Sequence, residues 1–132
     1  MRANVMYLES PAGVGFSVGA SDADWKHNDF SQGADAFAAL QNFFLRFPHV
    51  VDNDIWVSGE SYGGIYVPML TWQIHQANVK AQVASELSAK DIWAYKLRGF
   101  MVGNGCTNWK YDAERSWMDT LFGFDMIPQS LY

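Results

Sequence analysis

Asp54-Ile55-Trp56-Val57-Ser58-Gly59-Glu60-Ser61-Tyr62-Gly63-Gly64 is the stretch on which the reading of this chain turns. Asp54 to Ser58 make a short, largely apolar strand candidate that runs straight into Gly59. After Gly64, Tyr66, Met69, Leu70 and Ile74 recur at helical spacing and share one face. Between the two lies Gly59-Glu60-Ser61-Tyr62-Gly63, a G-x-S-x-G pattern. With three of five positions fixed, such a pattern is weak alone. Its flanks make it specific, because strand, tight turn and helix in that order are what lift a serine Oγ clear of a sheet in a nucleophile elbow. Gly59, Gly63 and Gly64 lack a Cβ and so permit the sharp turn and the close approach of helix to strand.

Outward from the elbow, strands and helices alternate. Lys96 to Val102 reads as a further strand, closed by Gly103-Asn104-Gly105, with Asn104 as a turn residue. Upstream, Asn4 to Glu9 is expected to be a buried strand that stops at Ser10-Pro11-Ala12-Gly13. A polar stretch from Gly19 to Phe30 follows. Ser31 is the expected N-cap of a helix carrying Ala34, Phe37, Ala38, Phe44 and Phe47, ended by Pro48. Gln76 to Asp91, with Val79, Val83 and Leu87 its few apolar residues, is expected to be a surface excursion, part helix and part loop. Trp109 to Phe122 is expected to be helical, with Tyr111, Trp117 and Leu121 apolar. The alternation predicts an α/β fold of βαβ units with a parallel sheet covered on both faces and ligands at the carboxyl ends of its strands. No repeat or low-complexity linker divides the 132 residues, so they form one domain or a portion of a larger one.

Composition narrows the function. The chain is 49% apolar, too hydrophobic for a disordered segment, and its aromatic content of 16% suits a piece of a large packed interior. A net charge of −5 removes the basic footprint that nucleic acid or an anionic membrane surface requires. No apolar run approaches a membrane span, and the first five residues carry no hydrophobic signal core. Asp22, Asp24 and Asp29 are interspersed with Trp25, Lys26 and His27 without the regular ligand spacing of a calcium loop, so a solvated loop face is expected. Cys106 is the one cysteine, which rules out an internal disulfide or a zinc cluster. No metal or cofactor is implied.

Ser61 needs a histidine to take its proton and a carboxylate to orient that histidine. In the hydrolase order, serine, acid, histidine, the one histidine downstream is His75, with no aspartate between. It lies on the helix that leads away from the serine and cannot swing back, so a helix-surface position is expected. His27 and His49 precede the elbow beside loop signals and are expected on the surface. Neither the base nor the acid of a triad is therefore expected among these residues.

Three blocks identify a family: Asn4-Val5-Met6-Tyr7-Leu8-Glu9-Ser10-Pro11-Ala12-Gly13-Val14-Gly15-Phe16-Ser17, then Gly59-Glu60-Ser61-Tyr62-Gly63-Gly64-Ile65-Tyr66-Val67-Pro68, then Gly99-Phe100-Met101-Val102-Gly103-Asn104-Gly105. In this order and at this spacing they closely resemble the serine carboxypeptidases, a family of α/β-hydrolases. The resemblance implies that Ser61 is the nucleophile that forms the acyl-enzyme and that the backbone N–H of Tyr62 is one oxyanion-hole donor. It implies that Glu60 shares a proton with a second acidic residue and hydrogen-bonds the C-terminal carboxylate of a peptide. An acidic optimum is the corollary. Glu9 and Ser10 are then scaffold beside the active site.

Family members are several times longer, with an upstream Asn-Gly-Gly-Pro-Gly-Cys block and downstream Asp and His blocks that are not in this sequence. Residues 1–132 are accordingly expected to be a single partial α/β-hydrolase domain, incomplete at both ends: the central sheet and the start of an inserted helical region. Any disulfide of Cys106 would lie with a cysteine elsewhere. The expected activity is a serine-type carboxypeptidase acting on peptide or protein C-termini, with no nucleic-acid or membrane partner. An acyltransferase of the same family and a catalytically inactive chain or interaction module are the alternatives. The chain alone is expected to be inactive. The resemblance implies a secretory, vacuolar, lysosomal or extracellular address.

Overall fold

The computed structural model describes residues 3–86 and 94–132. Helix α1 spans Asp29–Arg46, strand β1 Ile55–Glu60, helix α2 Gly63–Glu86, strand β2 Leu97–Gly103 and helix α3 Arg115–Gly123. β1 and β2 pair in parallel, with Val57 beside Phe100, Gly59 beside Val102 and Glu60 beside Gly103. A parallel pair needs a long crossover, and α2 supplies it. The expected strand–turn–helix at the elbow and the strand beginning near Lys96 are both present. Of the expected surface excursion from Gln76, the part up to Glu86 continues α2, while Leu87 and Asp91 lie outside the described residues.

The core forms where α1 and α2 meet the sheet. Leu40 and Phe44 of α1, Ile74 of α2 and Tyr95 ahead of β2 are buried, with Ile55, Val57, Leu70 and Leu97 packed against them. The Tyr95 ring lies edge-on to Phe37 at 5.8 Å and beside Phe44 at 5.6 Å. Its backbone is held by one side chain: Asn78 Nδ2 donates to the Tyr95 carbonyl at 2.8 Å, and the Tyr95 N–H donates to Asn78 Oδ1 at 2.6 Å. Both backbone groups of a buried residue are thus satisfied where no ladder reaches them. Gly33 lets α1 approach α2, since a Cβ there would stand 3.0 Å from that of Met69.

Four expectations are corrected. Asn4–Glu9 is not a strand: Val5 and Tyr7 are largely exposed, and the described sheet has two strands. A strand exists only through a partner, and none of the described residues pairs with this segment. The N-cap of α1 is Asn28 rather than Ser31. Asn28 Oδ1 accepts from the N–H groups of Phe30 and Ser31, while Ser31 Oγ accepts the Asn28 N–H at 3.0 Å. Ser31 is the N3 member of a reciprocal capping pair. The buried stripe of α1 is Gly33, Ala36, Leu40 and Phe44, leaving Ala34, Ala38 and Phe47 exposed. Finally, the described helices cover one face of the sheet; Trp56, Ser58 and Glu60 on the other face are exposed.

The expected helix from Trp109 begins as a π-helical turn, Lys110–Glu114, and continues as α3. Its start is organised by one carboxylate. Asp112 accepts from the N–H of Thr107 at 2.6 Å, the Thr107 hydroxyl at 2.9 Å and the N–H of Asn108 at 2.8 Å. These bonds, the one from Asn108 foremost, hold the Asp112 carboxyl below its ordinary value of 3.8. A group whose folded-state value is depressed contributes stability that is present above the ordinary value and lost as pH falls through the depressed one. In a carboxyl NMR titration Asp112 is expected to titrate below 3.8, and the Thr107 and Asn108 amides are expected to lose their downfield shifts in the same step.

Candidate active site

β1 ends at Glu60 and α2 begins at Gly63, so Ser61 and Tyr62 alone make the turn. Ser61 takes φ 58°, the left-handed region that L-residues avoid at a cost of about 1–2 kcal/mol. That strain is held by backbone bonds on both sides of the residue. The Ser61 N–H donates to the Gly103 carbonyl at 3.1 Å, continuing the β1–β2 ladder by one step. The Ser61 carbonyl accepts from the N–H of Gly64 at 3.0 Å and of Cys106 at 2.8 Å. The loop after β2 is therefore the second half of the elbow. A Cβ on Gly64 would stand 2.6 Å from the Cys106 carbonyl carbon, and one on Gly105 would stand 3.3 Å from Gly64 Cα, so the two loops touch backbone to backbone.

The same bonds orient the peptide between Ser61 and Tyr62. In a trans peptide the carbonyl and the N–H point in opposite directions. With the Ser61 carbonyl turned to Gly64 and Cys106, the Tyr62 N–H is directed away from them. It donates to no acceptor among the described residues. The Tyr62 carbonyl in turn accepts from Ile65 at 2.9 Å and Tyr66 at 3.2 Å, opening α2. An unpaired N–H beside an exposed hydroxyl, at the start of a 24-residue helix, is suited to receive developing negative charge.

The Tyr62 side chain is also held. Its hydroxyl donates to Asp29 Oδ1 at 3.1 Å, and its ring meets that of Tyr66 edge-on at 4.9 Å. The hydrogen bond to Asp29 is the leading cause that raises the Tyr62 phenol above its ordinary value of 10.0. Asp29 therefore departs from the solvated loop face expected of it. It is half-buried, at the first position of α1, and no sequence signal joins it to a residue 33 positions away.

Glu60 and Ser61 are exposed side by side, and neither side chain has a hydrogen-bond partner among the described residues. No histidine reaches them. His75 is exposed on α2 with its ring against Trp72, and His49 lies against Phe47. His27, expected on the surface, is half-buried: its Nε2 stands 3.0 Å from the Ala12 carbonyl. Since a carbonyl only accepts, Nε2 carries the proton, and the imidazole ties the 10–13 turn to the segment before α1. Glu9 and Ser10 belong to this scaffold. The Glu9 carboxylate accepts the Phe16 N–H, and Ser10 Oγ accepts from Gln32 Nε2 at 3.0 Å. A concavity of about 360 Å³ lies here, lined by Glu9, Asp24, His27 and Asp35. It does not include Ser61, and the chemistry of the elbow outweighs its concavity as a guide to the site. Among the described residues no group of three or more His, Cys, Asp or Glu side chains could hold a metal ion, and Cys106 is a free thiol.

A parallel β1–α2–β2 unit with a left-handed serine on the turn between strand and helix defines an α/β-hydrolase elbow. The chain belongs to the serine carboxypeptidase family, whose model, described as "Serine carboxypeptidase", matches residues 1–132. It is 39% identical over 121 residues to Serine carboxypeptidase-like 26 of Oryza sativa subsp. japonica, covering 88% of this chain and 23% of that protein. It is 36% identical over 105 residues to Venom serine carboxypeptidase of Apis mellifera, covering 80% of this chain and 20% of that one. Among solved structures, the prohormone-processing carboxypeptidase Kex1(delta)p of Saccharomyces cerevisiae superimposes with a TM-score of 0.63 at 26% identity, covering 92% of this chain and 25% of that chain. The chain thus spans about a fifth to a quarter of the length of these relatives.

Proposed function

We propose that this chain is the nucleophile-bearing part of a serine-type carboxypeptidase and a portion of a larger α/β-hydrolase domain. Ser61 Oγ attacks the carbonyl carbon of the last peptide bond, the Tyr62 N–H receives the oxyanion, and an acyl-enzyme forms on Ser61 as the C-terminal residue leaves. Glu60, next to the nucleophile, hydrogen-bonds the substrate's terminal carboxylate. The observation that carries this reading is the elbow itself: Ser61 held at φ 58° and the Tyr62 N–H beside it with no acceptor among the described residues. Activation of Ser61 falls to a histidine and a carboxylate outside these 132 residues, so the chain by itself does not turn over.

Peptides with free and amidated C-termini test the role of Glu60 in the full-length protein. The free acid is expected to be the better substrate, and Glu60→Ala is expected to raise KM for the free acid while leaving the amide unchanged. Equal handling of both peptides by the parent would remove Glu60 from carboxylate recognition. Hydrolysis in ¹⁸O-labelled water separates the carboxypeptidase from an acyltransferase, since only hydrolysis places the label in the shortened peptide. A secretory, vacuolar or extracellular address belongs to the same proposal. It is supported by the relatives, one named as a venom enzyme and one as a prohormone-processing carboxypeptidase. Among the described residues no helix is long and apolar enough to cross a membrane.

A further inference from the structure

Tyr62 is the residue after the nucleophile, and every other group on it has a fixed partner while its N–H has none among the described residues. Its carbonyl opens α2, its ring lies against Tyr66, and its hydroxyl reaches out of the βαβ unit to Asp29 on α1. That last bond ties the turn to a different helix, which is anchored in turn by the Asn28 cap and by the Leu40 and Phe44 core. Without it the half-buried ring is held on one side alone, by Tyr66, and is free to change rotamer.

We propose that Asp29 is a positioning residue of the elbow: by accepting the Tyr62 hydroxyl it holds the ring, and through it the Tyr62 N–H, in place beside Ser61. This rests on the reading of the Tyr62 N–H as an oxyanion donor. An N–H that must meet charge appearing only in the transition state contributes when it is already aimed, so loosening it affects turnover more than substrate affinity. Asp29 touches neither substrate nor reacting atoms. It acts through Tyr62.

The test uses the full-length protein carrying this chain, labelled with ¹³Cζ-tyrosine, with Tyr62→Phe to assign the resonance. In the parent the Tyr62 phenol is expected to titrate above the ordinary 10.0, and in Asp29→Ala it is expected to fall toward it, since the Asp29 hydrogen bond is the leading cause of the rise. Loss of one hydrogen bond corresponds to about a 10-fold fall in kcat for Asp29→Ala, with KM within twofold. Asp29→Asn retains an acceptor oxygen and is expected to recover most of the kcat, which separates positioning from a general loss of folding. The proposal is overturned by an ordinary Tyr62 titration in the parent, by a change in KM without one in kcat, or by an Asn variant as impaired as Ala. Failure of the underlying reading is distinct: turnover that persists in Ser61→Ala would sink the elbow as the active site and leave the Tyr62 titration unaltered.

Discussion

A Gly64→Ala chain is expected to lose its elbow. The added methyl would stand 2.6 Å from the carbonyl carbon and 2.9 Å from the nitrogen of Cys106, so it meets backbone, which cannot rotate away as a side-chain tip does. Overpacking of this kind costs about 1–3 kcal/mol. The damage to chemistry is larger, because relief of the clash separates the 103–106 loop from α2 and breaks the bonds from Gly64 and Cys106 that hold the Ser61 carbonyl. A displacement of about 1 Å at a reacting group lowers turnover about 100-fold. Gly103→Ala is the control, since a Cβ there meets nothing within 4 Å among the described residues. Thermal melting with peptidase rate in the full-length protein reads both effects: Gly64→Ala should lose rate out of proportion to stability, and Gly103→Ala should lose neither.

The second large effect is on folding. Ile74 is fully buried, at the point where α2 meets Leu40 and Phe44 of α1 and the Tyr95 ring. Ile74→Ala removes three carbons from a site enclosed by both helices and the strand entry, and cavities of this kind cost about 2–5 kcal/mol. The substitution also uncouples α1 from the sheet, since the helices share this cluster. Urea unfolding is expected to show a lower midpoint with an unchanged slope. Ala34, exposed on the far side of α1, is the control: a substitution there leaves no cavity, and Ala34→Ser is expected to melt close to the parent.

The parts of the fold legible in the sequence are those governed by local chemistry. β1, the elbow and the start of α2 were readable because a strand run, glycines at fixed offsets and helical periodicity coincide within twenty residues. β2 was readable for the same reason, its run ending at Gly103-Asn104-Gly105, where Asn104 takes φ 45°. The segment Asn4–Glu9 was not, because a β-like composition becomes a strand only beside a partner. The start of α1 was displaced by three residues because Asn28 and Ser31 are both competent caps, and the helix uses them together. At the candidate site, Ser61 came from the motif in its strand–turn–helix setting, and the roles of Tyr62 and Glu60 from the resemblance to the serine carboxypeptidases. The clamp from Gly103 and Cys106 and the bond from Tyr62 to Asp29 did not, since both join residues more than thirty positions apart and leave no periodic trace. Asp29 looked like one more loop carboxylate; its neighbour in space, not in sequence, sets it apart.

The most direct measurement is the site of a fluorophosphonate adduct, mapped by peptide mass spectrometry in the full-length protein and in its Ser61→Ala variant, beside the 132-residue chain alone. Adduct on Ser61, none in Ser61→Ala, loss of carboxypeptidase turnover in that variant and no labelling of the chain alone are the predicted results. An adduct on another serine, or turnover that survives Ser61→Ala, would contradict the assignment of the elbow as the place where the chemistry occurs.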